Sequence, residues 1–396
     1  MRAPCCKIKN PVPDSSLRAA ADHQLAHPRL AAVLRQHCPY LPPEVPAEAL
    51  STAIHPDCQM LDFSLRHHQD AALSVSQYFA VALQQYHTMR QISRRVFGAR
   101  EDLRVLDFAC GYGRLLRFLA HSLPREQIWA SDIQVDAVDY VRQQFGVHGL
   151  PSTAAPEHFD LDQRFDMIWV ASLFSHLPEH LFQRWLERLA KLLAPGGILC
   201  FSTHGEGLLP AGFKLPPSGF QYQSVSENED LGADIYGTMH VSKAYVERAL
   251  KSVFGESLRW RHFHKLLAAE QDVYIAAFDN GGPDLGGLEE FRRGPRGWLD
   301  VQRMQEDGLY LQGWAASIDD GDLDCLELEW ADQQLRLIPA EPRPRVAEVL
   351  GDSRLSHCGF SCTLQWPEGA ESTYLVISAI SRRGERGLVY AGEVFA

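Results

Sequence analysis

Between residues 103 and 202 the hydrophobic pattern switches back and forth between strand and helix periods, and that alternation constrains the fold more than any other feature of the chain. Segment 103–108 (LRVLDF) reads as a short apolar strand, 109–113 as a glycine-containing turn and 114–121 as the opening of a helix. A second strand over 127–133 (QIWASDI) ends in Asp132 and leads to a helix over 137–145. A third strand, 165–172, precedes a helix over 179–193 that places Leu181, Trp185, Leu189 and Leu192 on one side. Pro195, Gly196 and Gly197 stop that helix before strand 197–202 (GILCFS). Strands that alternate with helices in this way build a parallel sheet covered on both faces. Segments 258–264 and 272–278 then add an edge hairpin.

The flanks read differently. Residues 1–60, rich in Pro and His, are expected to form an irregular extension with short helices. An amphipathic helix, or two, is expected over 74–94. The stretch 204–240 is too long for a plain connector and follows the fifth strand, so it is expected to cover the acceptor side of a site. Glycines and prolines over 281–297 mark a linker. Beyond it, six short alternating strands predict an all-β sandwich over 298–396 with no helix of consequence. At 396 residues the chain has room for this plan: extension 1–60, α/β domain 61–280, linker 281–297 and β domain 298–396.

The first turn carries the chemistry. Asp107-Phe-Ala109-Cys110-Gly111-Tyr-Gly113-Arg114 sits where a strand ends and a helix begins, so the backbone approaches a ligand closely and offers free N–H groups. A dinucleotide site wants a third glycine where Leu116 stands, and the Asp107 carboxylate would repel a pyrophosphate. A cationic ligand suits the turn better.

On these residues the segment resembles the first motif of the class I methyltransferases that use S-adenosyl-L-methionine. The resemblance extends over about 75–280. It runs through Asp132, the strand 165–170 with Val170, Ala171 and Ser172 reaching the cofactor side, the Ser175-His176-Leu177 segment and the Leu193-Ala-Pro195-Gly196-Gly197 turn. It implies a Rossmann-like, seven-stranded methyltransferase sheet with S-adenosyl-L-methionine as cofactor. Asp107 would hold the methionine amino group, Ala109, Cys110, Gly111 and Gly113 would pass beneath the ligand, and Asp132 with Ile133 would meet the ribose. Ala109 stands where the family carries its first glycine. His176 is the candidate general base, with a packing role as its alternative; Asp166 reads as structural. Arg114, His204, Tyr236 and His240 are the candidate acceptor contacts, although Arg114 could equally face the cofactor carboxylate or pair with a surface acid.

The expected acceptor is a small molecule or a glycan, methylated on oxygen, because the β domain also resembles one appended to bacterial enzymes of surface polysaccharides: Gly313-Trp314, Arg343-Pro344-Arg345-Val346 and Gly359-Phe360 carry that likeness. The alternatives are a small-metabolite enzyme whose β domain oligomerises the chain, and a non-catalytic glycan-binding scaffold. Nucleic acid is not expected as a partner: the formal charge is -12, and 170–173 (VASL) lacks the motif of DNA amino-methyltransferases. No run approaches the roughly 20 apolar residues of a membrane span, and a cytoplasmic location is expected. Nine scattered cysteines, including the adjacent Cys5 and Cys6, read as reduced thiols, and no metal site is expected from their spacing.

Overall fold

The computed structural model describes residues 15–100, 102–210, 212–225, 231–279, 281–331 and 333–396. The expectations for Met1 to Asn10, with Cys5 and Cys6, lie outside these residues. Helices α1 (Ser15–Ala26), α2 (Pro28–Gln36), α3 (Gln59–His68) and α4 (Ala71–Phe97) come first. Then follow β1 (Val105–Phe108), α5 (Leu116–Leu119), β2 (Ile128–Asp132), α6 (Val135–Phe145), β3 (His148–Pro151), β4 (Phe165–Val170), α7 (Glu179–Lys191) and β5 (Leu193–Thr203). The short ribbon β6 (Phe220–Gln223) and β7 (Thr238–Val241) leads to α8 (Lys243–Phe254), β8 (Leu258–Leu267) and β9 (Gln271–Phe278). The remainder comprises β10 (Pro295–Gln305), β11 (Gly308–Ser317), β12 (Leu323–Trp330), β13 (Gln333–Leu337), α9 (Pro344–Leu350), β14 (Gly359–Leu364), β15 (Ser372–Ser381) and β16 (Arg386–Phe395).

Seven strands form one sheet in the order β3-β2-β1-β4-β5-β9-β8. The first five run parallel; β9 enters antiparallel beside β5, and β8 pairs antiparallel with β9. This is the Rossmann-like methyltransferase sheet. Strand order reverses between β1 and β4, which opens a crevice at their carboxyl ends. Helix α7 shows why the layers hold: Leu181, Phe182, Trp185, Leu186 and Leu189 are buried on one stripe against the sheet. At the other end of β1, the Asp166 carboxylate accepts from the Arg104 N–H at 2.9 Å and faces the Arg104 and Arg100 guanidiniums.

The amino-terminal region has the short helices expected from the sequence, and they pack into the main core. Pro28 opens α2 at a position where its missing N–H costs nothing. Leu25, Leu30, Val33, Leu34, Leu50 and Ile54 join the same core as the sheet. Helix α4 is one continuous element, started by the Asp70 carboxylate on the Leu73 N–H at 2.8 Å. Sixteen of its 27 residues are buried, because it is covered on several sides at once.

The carboxy-terminal residues form a three-stranded sheet, β10-β11-β14, and a four-stranded sheet, β13-β12-β15-β16. Leu309, Leu311 and Phe360 from the first share a core with Leu328, Ile377 and Val389 from the second. Strand β10 begins inside the expected linker, and Leu285, Leu288 and Phe291 are buried in the main core, so the glycines of that stretch punctuate a packed segment. Helix α9 is an unanticipated element of nearly two turns starting at Pro344. The four-stranded sheet lies against the amino-terminal helices. Ser76 Oγ accepts from the Ala391 N–H at 3.0 Å, His37 Nε2 meets Ser378 Oγ at 3.0 Å, and Gln24 bonds the Glu393 backbone through both ends of its amide. Trp330 is buried and donates to the Gln365 carbonyl, and Trp366 packs edge-on against it, whereas Trp314 is only half-buried.

Candidate functional site

The cleft at the reversal point has a void of about 1260 Å³, including its open mouth. Its floor is the turn after β1. Ala109, Gly111 and Gly113 all have positive φ, +61°, +51° and +76°. Gly111 has open space where a Cβ would stand, so the backbone there is bare to the cleft. Gly113 does not line the cleft; a Cβ would fall 2.4 Å from the Phe145 ring, so this glycine lets α6 pack against the turn. Ala109 adopts the left-handed conformation with its methyl in place, at a cost of about 1–2 kcal/mol.

Two carboxylates face the cleft. Asp132 is anchored by its backbone surroundings: Oδ2 accepts from the Gly111 N–H at 2.8 Å and Oδ1 from the Gln134 N–H at 3.0 Å. Burial raises its pKa and those hydrogen bonds oppose the rise. Asp107 is 4% exposed, and its Oδ2 is buried with no hydrogen-bond partner. Burial and the Asp132 charge push its pKa up to about 7, against a smaller lowering by Arg114. A buried carboxylate oxygen left unpaired is costly unless a donor arrives, so the residues present fit a ligand that brings a cation to Asp107 and hydroxyls to Asp132.

The far wall comes from β4. Of the three residues expected on the cofactor side, Ala171 and Ser172 line the cleft, whereas Val170 is buried in the core, paired in register with Phe201. Ser172 has φ +62° and is held in a closed set of hydrogen bonds: its N–H donates to Ser202 Oγ at 2.8 Å, Ser202 Oγ to Gln271 Oε1 at 2.6 Å, and Gln271 Nε2 to Ser172 Oγ at 2.8 Å. Cys110, Ile133, Arg114 and Tyr236 line the cleft as expected.

The three histidines stand elsewhere. His176 is 4% exposed and does not face the cleft; its Nδ1 lies 2.7 Å from the Gly237 carbonyl, which can only accept, so Nδ1 carries the proton. Its ring stacks on Tyr236 at 4.6 Å and 11°, and Tyr236 is the one of the pair that reaches the cleft. His204 and His240 continue the row at ring separations of 5.6 and 5.5 Å, also off the cleft wall. Burial, followed by the neighbouring histidines, pushes the His204 pKa down to about 4. Together with the Gly237 N–H to the His176 carbonyl (2.8 Å) and the Met239 N–H to the Ser175 carbonyl (2.9 Å), this row fastens the returning end of the 204–240 stretch to the loop after β4. Gly237 is required there, since a Cβ would lie 2.3 Å from the Gln223 carbonyl.

The sequence reading misses the roof. Gln59 and Met60 from α3, and Tyr78 and Gln85 from α4, line the cleft opposite the turn. Tyr78 and Gln85 are seven residues apart, two helical turns on one face, and a buried glutamine on that face was the available clue. Arg117, 1% exposed, holds the roof in place. It donates to the Ser51 carbonyl at 2.9 Å, the Ala53 carbonyl at 3.3 Å and the Tyr78 hydroxyl at 3.3 Å.

Residues 106–199 match the family model described as "Methyltransferase domain". Over that segment the chain is similar to methyltransferase domains. Among curated proteins the chain is 26% identical over 194 residues to the malonyl-[acyl-carrier protein] O-methyltransferase of Bacillus cytotoxicus, covering 45% of this chain and 67% of that protein. The corresponding protein of Bacillus anthracis is 23% identical over 193 residues, covering 45% and 71%. Among solved structures, an S-adenosylmethionine-dependent methyltransferase from Clostridium acetobutylicum aligns with a TM-score of 0.36 at 14% identity, over 49% of this chain and 91% of that one.

Proposed function

We propose that the methyltransferase acts on an oxygen of a small polar acceptor, a sugar or glycan hydroxyl. The observation that carries this reading is the mixed lining of the roof side: the amides of Gln59 and Gln85, the phenols of Tyr78 and Tyr236 and the guanidinium of Arg114 surround the space beside Asp107. Neutral donors and acceptors next to aromatic faces suit a polyol, which needs many hydrogen bonds and offers C–H faces for packing. When bound, S-adenosyl-L-methionine supplies an electrophilic methyl group on a sulfonium.

The chain's own residues then bind and align. Asp107 would pair with the ammonium of the methionine part, Asp132 would accept from the ribose hydroxyls, and the bare backbone at Gly111 would run under the ligand. Roof residues would hold and orient the acceptor hydroxyl, and such positioning can supply much of the rate of a displacement. His176 acts on Tyr236 as a positioning residue: with Nδ1 committed to Gly237, its ring sets the plane of the phenol that faces the cleft. The carboxy-terminal sheets, closed onto α1, α2 and α4, keep the roof helix in place.

A second reading, methyl-ester formation on a carboxylate, is favoured by Arg114, whose guanidinium lies 5.7 Å over the Tyr78 ring at the cleft. A carboxylate would dock on it and would need no base. The two readings part on the stability of the product. The full chain is incubated with methyl-labelled S-adenosyl-L-methionine and separate pools of carbohydrates and acyl carboxylates, and the product is treated with mild alkali. Label retained on carbohydrate supports the ether; label released as methanol supports the ester and overturns the sugar reading.

A further inference from the structure

We propose that His262, His264 and Asp272 bind one divalent transition-metal ion of the zinc class, at a site separate from the cofactor cleft. His262 and His264 are two apart on β8, a spacing that puts both side chains on the same side of a strand. On the neighbouring β9, Tyr274 pairs with His262, and antiparallel counting brings Asp272 opposite His264, where the ladder breaks into a bulge. A bulge at that point re-aims the side chains around it.

The ligand atoms are already gathered. His262 Nε2 lies 2.9 Å from Asp272 Oδ2, His264 Nδ1 lies 2.9 Å from Asp272 Oδ1, and all three residues offer ligand atoms within 4.8 Å of one another. Tetrahedral donors that each sit about 2.0–2.2 Å from one ion are about 3.4 Å apart, so an ion needs these pairs to open by only about half an ångström. Asp272 is 5% exposed, and its Oδ1 also accepts from the Lys265 N–H at 2.9 Å, which fixes the carboxylate as an outer partner should. The His262 ring is oriented by stacking on Tyr274 at 4.7 Å. Two imidazoles and one carboxylate suit zinc or a neighbouring transition ion, and the oxygen-seeking magnesium and calcium much less. His264 is exposed, so water or a ligand oxygen can complete the shell from solvent.

The site's place gives the ion a task. Asp272 follows Gln271, whose amide holds Ser172 at the cofactor cleft. Gly205, at the root of the 204–240 stretch, lies so close that a Cβ would stand 2.3 Å from Asp272 Oδ2, and a Cβ on Gly207 would touch the His264 ring at 3.4 Å. An ion here clamps β8 to β9 directly beneath the root of the segment that brings Tyr236 to the cleft. Sequence reasoning framed on cysteine spacing passes over this His-x-His pair, because its third ligand comes from another strand.

The full chain, stripped with a chelator, is titrated with Co²⁺ and followed by visible absorption. One equivalent is expected to bind with ligand-field bands that Zn²⁺ abolishes, and His264→Ala, which removes an exposed ring, should weaken binding more than about tenfold with unchanged circular dichroism. Asp272→Asn should do the same. A wild-type protein with no saturable cobalt spectrum, or a His264→Ala protein with the same affinity and stoichiometry, would show that the three groups only share hydrogen bonds.

Discussion

With the cofactor ammonium on Asp107, as proposed above, cofactor affinity is expected to vary with pH, and the size of the effect follows from the surroundings of that carboxyl. In the free protein its pKa is raised to about 7, first by burial and then by Asp132. An ammonium at about 4 Å in an environment of effective dielectric near 20 contributes about 4 kcal/mol, enough to lower that pKa by roughly three units in the complex. Binding therefore expels a proton wherever the free carboxyl still holds one. With a free pKa of about 7, the ionised fraction falls from about 0.76 at pH 7.5 to about 0.09 at pH 6.0, so affinity should fall about eightfold, or about 1.3 kcal/mol. An ordinary α-ammonium keeps its proton over that range. Calorimetric titration with S-adenosylhomocysteine, repeated in buffers of different ionisation enthalpy, reads both the affinity and the protons released, about 0.9 per ligand at pH 6.0 by the same linkage. Asp107→Asn should bind roughly 10- to 100-fold more weakly at pH 7.5 and release no protons. A wild-type affinity flat across this range, or an equal slope in Asp107→Asn, would refute the reasoning. The same shift acts on stability with the opposite ligand dependence. Because the folded pKa lies above the unfolded one, the free protein loses stability as pH rises from about 4 to 7, and bound cofactor restores it.

Two further outcomes follow from the turn and the roof. Ala109→Gly removes the left-handed penalty at φ +61° while adding backbone freedom to the unfolded chain, for a net stabilisation of about 0.5–1 kcal/mol, visible as a rise in Tm. A fall in Tm would mean that the Ala109 methyl contributes packing that outweighs the strain. Arg117→Met leaves the Ser51 and Ala53 carbonyls and the Tyr78 hydroxyl without their donor, and should cost about 2–3 kcal/mol in denaturant unfolding. Acceptor KM should rise more than cofactor Kd changes, since the roof rather than the floor is loosened; equal effects on both would contradict that division.

The parallel core was legible because its residues answer to local rules. Strands β1, β2 and β4 are apolar runs closed by a turn or an acid, and the glycine turn announced itself by residue type. Legibility ended where tertiary packing decides. Leu285, Leu288 and Phe291 were hidden among glycines, yet their burial makes the expected linker part of the core. Asp107, Gly111 and Asp132 were expected together because of their places at a strand end or turn, and all three line the one cleft. His176, His204 and His240 were near the site in sequence but turned away from it in space, a matter of which face of a loop is fastened. The acidity of the carboxy-terminal region also gains a physical reading. Residues 298–396 carry 17 acids against 8 arginines, -9 of the total -12. Several of those acids meet cations from outside that region: Glu329 pairs with Arg29, and Asp320 and Glu385 with Arg292. Part of the charge therefore serves to close the two regions on one another.

The central claim, that the crevice built by Asp107, Gly111 and Asp132 is the S-adenosylmethionine site, is tested most directly by equilibrium dialysis of the purified chain with labelled S-adenosyl-L-methionine. The account predicts one mole bound per mole of protein, full competition by S-adenosylhomocysteine, and a loss of at least about tenfold in affinity for Asp132→Ala with an unchanged circular dichroism spectrum. Saturable binding that survives Asp132→Ala undiminished, or no binding by the wild-type chain, would contradict it.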